Sequence, residues 1–201
     1  MKIIAHPSPN FGDRRGCDAP DMIVIHYTGM ATAQAALDRL CDPGPEVSCH
    51  YLIDENGGIY QLVDDACRAW HAGRSYWQGQ TDINSRSIGI ELANPGPLVG
   101  SPPFAARQMD ALAQMLEKLC ARWGIAADCV LGHADVAPGR KADPGAKFDW
   151  DRFGLRRSVR VDRNPDRALL ALGYDPEASP AARLGAAQLR FRLVDAPVPS
   201  A

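Results

Sequence analysis

Apolar residues run unbroken through Met22-Ile23-Val24-Ile25 and stop at a histidine, His26, with Pro20 before the run and Gly29 after it. So short a run, rich in β-branched side chains, predicts a central strand over 22–27. Between Thr32 and Cys41, Ala33, Ala36, Leu37 and Leu40 recur at the spacing of one helix face, and Asp42-Pro43-Gly44-Pro45 stops the helix. His50 to Val63 reads as a hairpin whose turn, Glu55-Asn56-Gly57-Gly58, contains the Asn-Gly pair that supplies positive φ. Ser87 to Leu92 predicts another strand, closed by Asn94-Pro95-Gly96-Pro97. A helix starting near Ser101-Pro102-Pro103 follows from the stripe Met109, Leu112, Leu116, Leu119 and Trp123, and Gly124 ends it. Cys129-Val130-Leu131 is the next strand.

Strands separated by helices predict an α/β fold with a central mixed β-sheet, helices on at least one face, and a ligand cleft above the strand ends. After Trp150 the texture changes to Arg-rich sequence, then to two helical stretches, Pro165 to Leu172 and Pro180 to Leu193, separated by Gly173-Tyr174-Asp175-Pro176. The expected organisation is one main domain over 1–154 and an Arg-rich linker with a short helical appendage over 155–201. Residues 196–201, with two prolines, read as disordered.

Composition narrows the possible partners. With 201 residues, 46% of them hydrophobic, the chain can bury one full core. A formal charge of -2 provides no broad basic field, which argues against nucleic acid as a partner. The cluster of arginines from Arg152 to Arg167 reads as a solvated face. The N-terminal residues lack the apolar core of a secretory signal, and no stretch is apolar for long enough to cross a bilayer. Six cysteines are scattered without a C-x-x-C pair, and several sit among apolar residues, as Cys120 and Cys129 do. These features point to a reducing compartment, so a soluble, cytoplasmic, monomeric protein is expected.

The chemistry concentrates in two places. His26 ends the first apolar strand, and the segment from Gly132 to Gly145 carries His133, Arg140, Lys141 and Asp143. Two imidazoles and a carboxylate suit a catalytic zinc, which takes three protein ligands and leaves a fourth position for water. The Gly/Pro-rich loop between His133 and Asp143 lets both turn into one site. Glu91 lies on an otherwise apolar strand, where a carboxylate is costly unless it borders a cleft, and desolvation there raises its pKa toward a useful range. Lys141 stands two residues before Asp143, so extended backbone sends both side chains to one face.

Five segments, in order, carry a family resemblance: Ile23-Val24-Ile25-His26-Tyr27-Thr28, Val47-Ser48-Cys49-His50-Tyr51-Leu52-Ile53, Ala69-Trp70-His71-Ala72-Gly73, Asn84 with Ser87-Ile88-Gly89-Ile90-Glu91, and Gly132-His133 through Lys141-Ala142-Asp143-Pro144-Gly145. Over residues 20 to 150 the chain resembles the type 2 N-acetylmuramoyl-L-alanine amidases, whose fold is shared with peptidoglycan recognition proteins. The resemblance implies Zn2+ on His26, His133 and Asp143, with Glu91 moving protons and Lys141 steadying the developing oxyanion. It implies a substrate wall drawn from Trp70, His71, Tyr51, His50, Asn84, Asn94 and Arg140, and peptidoglycan fragments or muropeptides as the bound partner.

Two departures from phage-type relatives stand out. Cys49 occupies the place of their catalytic tyrosine, and Asp143 that of their cysteine ligand, which points to the bacterial branch that uses Glu. Phe148-Asp149-Trp150 replaces a common proline before the tryptophan and is expected at the cleft rim. The tail resembles the truncated end of a peptidoglycan-binding helical module, packed on the main domain or extending the cleft. Two other functions compete. A recognition module that binds muropeptide without cutting it needs neither Glu91 nor Lys141. A zinc peptidase would ordinarily carry an H-E-x-x-H helix, which the chain lacks.

Overall fold

Side-chain alternation along one strand, β3 (Met22–Tyr27), sorts the molecule into two sides. Ile23 and Ile25 join one apolar cluster, while Met22 and Val24 join another on the opposite face, the face to which His26 also belongs. The computed structural model describes residues 2–161 and 164–195. Residues 196–201, expected to be disordered, lie outside that range.

Besides β3, the main sheet contains β1 (Ile3–Ala5), β4 (Tyr51–Ile53), β5 (Ile59–Gln61), β7 (Ser87–Leu92) and β8 (Val130–Gly132), in the order β1-β5-β4-β7-β3-β8. Only the β4–β5 hairpin is antiparallel, so the sheet is mixed. β2 (Phe11–Asp13) and β6 (Cys67–Ala69) form a separate antiparallel pair. Parallel strands buried on both faces read as continuous apolar runs, which is why 22–25 and 88–92 stood out.

One face is covered by α3 (Ala106–Trp123), whose Met109, Leu112, Met115, Leu116 and Leu119 pack against Ile23, Ile25, Ile88, Ile90 and Leu92. The opposite face is divided. At one side, α1 (Ala33–Cys41) lays Ala36, Leu37 and Leu40 on Leu52 and Leu62. At the other side, α5 (Pro165–Leu172) and α6 (Pro180–Arg190) bring Leu169, Ala186, Ala187 and the following Phe191 against Met22, Val24 and Leu131. The tail helices therefore complete a core. Between these two covered patches the sheet is open at His26 and Glu91, and a cleft lies there.

The structure differs from the sequence expectations at several boundaries. α3 begins at Ala106 instead of near Ser101, because Ser101 has φ 54°, outside the helical region, and Ala105 is extended and caps the helix. The second tail helix ends at Arg190 instead of Leu193. Phe191 is extended, and Arg192–Asp195 forms β10, which pairs in parallel with β9 (Ser158–Val161). Phe148 and Trp150 are not on the cleft rim. Both are about 1% exposed and belong to the α3-side core, where Phe148 meets Trp150 edge to face at 4.6 Å.

Candidate metal centre

His26 enters the cleft from the C-terminal half of β3, and His133 begins α4 (His133–Val136) directly after β8. Asp143 comes from the loop that follows. The backbone N–H of Ala134 donates to the Asp143 carbonyl at 2.9 Å, which fastens the loop back onto the start of α4. Gly132 permits this close return, since a Cβ there would stand 2.8 Å from Pro144 Cδ. Three atoms converge as a result. His26 Nδ1 lies 2.9 Å from His133 Nδ1 and 3.0 Å from Asp143 Oδ2, and His133 Nδ1 lies 3.0 Å from the same oxygen.

The donor set fits zinc. Two imidazole nitrogens and a carboxylate oxygen are proper ligands for it, and metal–ligand bonds of about 2.0–2.1 Å in a tetrahedron separate ligand atoms by roughly 3.3 Å, close to what is seen. All three residues are buried, at 2%, 3% and 7% exposure for His26, His133 and Asp143. Burial, then repulsion from His133, outweighs the pull of Asp143 and lowers His26 to about 4, so its ring is neutral at neutral pH. Burial alone would raise Asp143. The two imidazoles facing it overcome that and hold it well below the usual carboxylate range.

Glu91 pairs in register with His26 across β3 and β7, so the two side chains leave the sheet on the same face. Its Oε2 is buried and has no hydrogen-bond partner among the described residues. Burial, followed by the negative charge of Asp143, raises Glu91 to about 8, while Lys141 acts in the opposite direction. Lys141 is exposed on the cleft wall. The cleft encloses about 540 Å³, and Trp70, His71, Arg39 and Arg140 line it along with the three clustered residues, Glu91 and Lys141. Arg140 donates to the carbonyls of Ala72 (2.6 Å) and Arg74 (2.5 Å) and also borders a neighbouring cavity of about 480 Å³, whose far wall is the tail segment Asp175 to Ala178.

Not every residue expected on the substrate wall is on it. Tyr51 points into the α3-side core and donates its hydroxyl to Asp65 Oδ1 at 2.7 Å. Its neighbour His50 points the other way but is fully buried, donating from Nε2 to the Cys67 carbonyl and accepting the Gly89 N–H at Nδ1. Asn84 accepts the backbone N–H groups of His71 (3.0 Å) and Ala72 (2.8 Å), and so supports the wall from behind. Asn94 accepts from Gly96 and donates to the Pro102 carbonyl, holding the loop of an adjoining cavity. Alternation already separates Tyr51 from His50, but nothing in the sequence says which layer covers each face.

Sequence reasoning missed the buried pair behind α4. Asp135 Oδ2 accepts the Gly132 N–H at 2.8 Å, and Tyr174 donates its hydroxyl to Oδ1 at 2.6 Å. Arg190 lies 3.7 Å from Asp135 Oδ2, with its guanidinium 4.6 Å above the Trp150 ring. The tail thus reaches the residue two positions after His133. Arg39, on α1, is also a cleft residue that the sequence did not single out.

Comparison with known proteins identifies the family. The family profile described as N-acetylmuramoyl-L-alanine amidase matches residues 16–146. The chain is 41% identical over 144 residues to the N-acetylmuramoyl-L-alanine amidase AmiD of Escherichia coli, an alignment covering 66% of this chain and 51% of that protein. It therefore spans about half the length of AmiD. It is 35% identical over 164 residues to the 1,6-anhydro-N-acetylmuramyl-L-alanine amidase AmpD of Salmonella typhimurium, covering 73% of this chain and 86% of that one. Among solved structures, the complex of E. coli AmiD with anhydro-N-acetylmuramic acid-L-Ala-D-γ-Glu-L-Lys aligns at a TM-score of 0.74 and 31% identity, covering 92% of this chain and 90% of that chain. AmpDh3 from Pseudomonas aeruginosa, in complex with an anhydromuramic pentapeptide, aligns at 0.72 and 27%, covering 92% and 86%. The fold, the ordered motifs and these relatives together make the chain a member of the N-acetylmuramoyl-L-alanine amidase family.

Proposed function

We propose that this chain is a zinc-dependent amidase that hydrolyses the amide between N-acetylmuramic acid, or its 1,6-anhydro form, and the L-alanine of the stem peptide. The observation that carries the reading is a single cleft holding three convergent ligand atoms and, on the same sheet face, a buried carboxylate oxygen without a partner.

His26, His133 and Asp143 would hold the metal. Zinc, when bound, supplies positive charge that polarises the scissile carbonyl, acidifies water and draws Glu91 toward its ionised form. Glu91 then accepts a proton from the attacking water and delivers it to the departing alanine nitrogen, a role suited to a carboxyl raised by burial to about 8. The Lys141 ammonium faces the negative charge that develops on the carbonyl oxygen. Trp70 and His71 form one wall, and Arg39 and Arg140 supply cationic charge that suits the carboxylates of a stem peptide. Six free cysteines support a reducing, cytoplasmic setting, where soluble anhydro-muropeptides would be the substrate.

The test is to incubate zinc-loaded protein with a soluble anhydromuramyl peptide, with and without chelator, and follow products by mass spectrometry. Chelator-sensitive release of an intact peptide beginning with L-alanine is expected. Binding without release would make the chain a recognition module, and cleavage inside the peptide would make it a peptidase.

A further inference from the structure

We infer that His71 is a positioning residue that fixes which nitrogen His26 offers to the metal. The inference rests on the metal reading above. It is drawn from a chain of hydrogen bonds whose direction is set at its far end.

The Ile83 carbonyl can only accept, so the Ser87 hydroxyl must donate to it, at 2.6 Å. Its one proton being used, Ser87 Oγ can only accept from His71 Nε2, at 3.2 Å. A neutral His71 protonated at Nε2 has a bare Nδ1, and that atom lies 3.1 Å from His26 Nε2. His26 therefore donates from Nε2 and turns a bare Nδ1 toward His133 and Asp143. Four groups in line thus give the ring one tautomer.

The neighbouring residue does the same for the second histidine. His133 Nε2 donates to the Ala72 carbonyl at 3.1 Å, which makes Nδ1 the nitrogen that ring offers to the metal. Asn84 Oδ1 accepts the backbone N–H groups of His71 and Ala72 together, so one amide side chain holds the segment that orients both rings. The space is built in too. A Cβ on Gly89 would stand 2.4 Å from His71 Cγ, so only glycine beneath the ring lets it sit between Ser87 and His26. A substrate wall would need none of this.

Outer groups of this kind typically carry a factor of 10 to 100 in metal affinity. Zinc affinity would be measured by chelator competition in wild type, H71L, which removes the acceptor, and H71Q, whose amide oxygen can replace it. H71L should bind about 10- to 100-fold more weakly, and H71Q should recover part of the loss. Long-range proton–nitrogen spectra of the histidine-labelled wild type, metal-free and zinc-loaded, should show the His26 and His71 protons on Nε2. A His26 proton on Nδ1 in the metal-free protein would overturn the inference, and so would H71L binding zinc as wild type does. If H71L fails to fold, the wild-type spectra still decide. A folded wild type that binds no zinc would instead sink the metal reading and this inference with it, a result separate from the other two.

Discussion

The two faces of the central sheet are built from the same strands and do opposite work. Toward α3, Ile23, Ile25, Ile88, Ile90 and Leu92 form an apolar layer closed by a single amphipathic helix. On the other face the same strands present Ser87, Gly89, Glu91 and His26, and among the described residues no helix packs over the last two. A two-residue period is enough to separate stability from chemistry. Substitutions under α3 should therefore change the energy of folding and leave the metal alone, whereas substitutions at His26 and Glu91 should act chiefly on the metal site and its chemistry.

Replacing His133 with alanine should produce the largest effect: loss of stoichiometric zinc and of amidase activity, read by metal analysis and peptide release, from a protein that still folds. Glu91→Gln comes next. It should retain zinc but turn over roughly 10²- to 10⁴-fold more slowly, and full activity would remove Glu91 from the mechanism. Lys141→Ala should reduce kcat by about 10²- to 10³-fold with little change in zinc affinity, separating charge stabilisation from metal binding. On the α3 face, Ile90→Ala should lower unfolding free energy by about 2–5 kcal/mol in denaturant titrations, with metal content of the folded protein unchanged.

The smallest effect concerns pH. In metal-free protein Glu91 is raised to about 8, so between the ordinary carboxylate range and that value the folded state holds more protons than the unfolded state. Stability should then fall as pH rises through this window. Glu91→Gln should lose that slope and, at pH 8, melt a few degrees higher than wild type. Identical slopes would show that the carboxyl is better solvated than its position suggests.

Long elements and paired functional residues were legible in the sequence, and among the three-residue strands β4, β5 and β8 were, because a turn or an apolar run flags them. β3, β7, α1 and α3 each span enough residues to display a period, and His26, Glu91 and His133 stand out because polar groups interrupt or follow apolar runs. β1, β2 and β6 have three residues each, too few for a period to exist. Tyr51 and Asn84 were expected at the substrate and serve the framework, because a polar side chain in a known motif does not announce which way it faces. The two tail helices and their packing on the main domain were expected, and what the sequence did not show is that they close a core of their own. These helices are short and look peripheral, and their burial depends on a surface made by β3 and β8, well over a hundred residues away from some of it.

The Asp135–Tyr174–Arg190 cluster also sets an order of events during synthesis. The carboxylate behind His133 acquires its hydroxyl and guanidinium partners from segments translated much later, and until then β8 lacks the cover that Phe191 and α6 provide. A chain whose tail is not yet free carries a sheet finished on its α3 side and bare on the other where α5 and α6 will pack. The packing behind the loop from His133 to Asp143 is therefore completed only after the residues proposed for the chemistry have emerged.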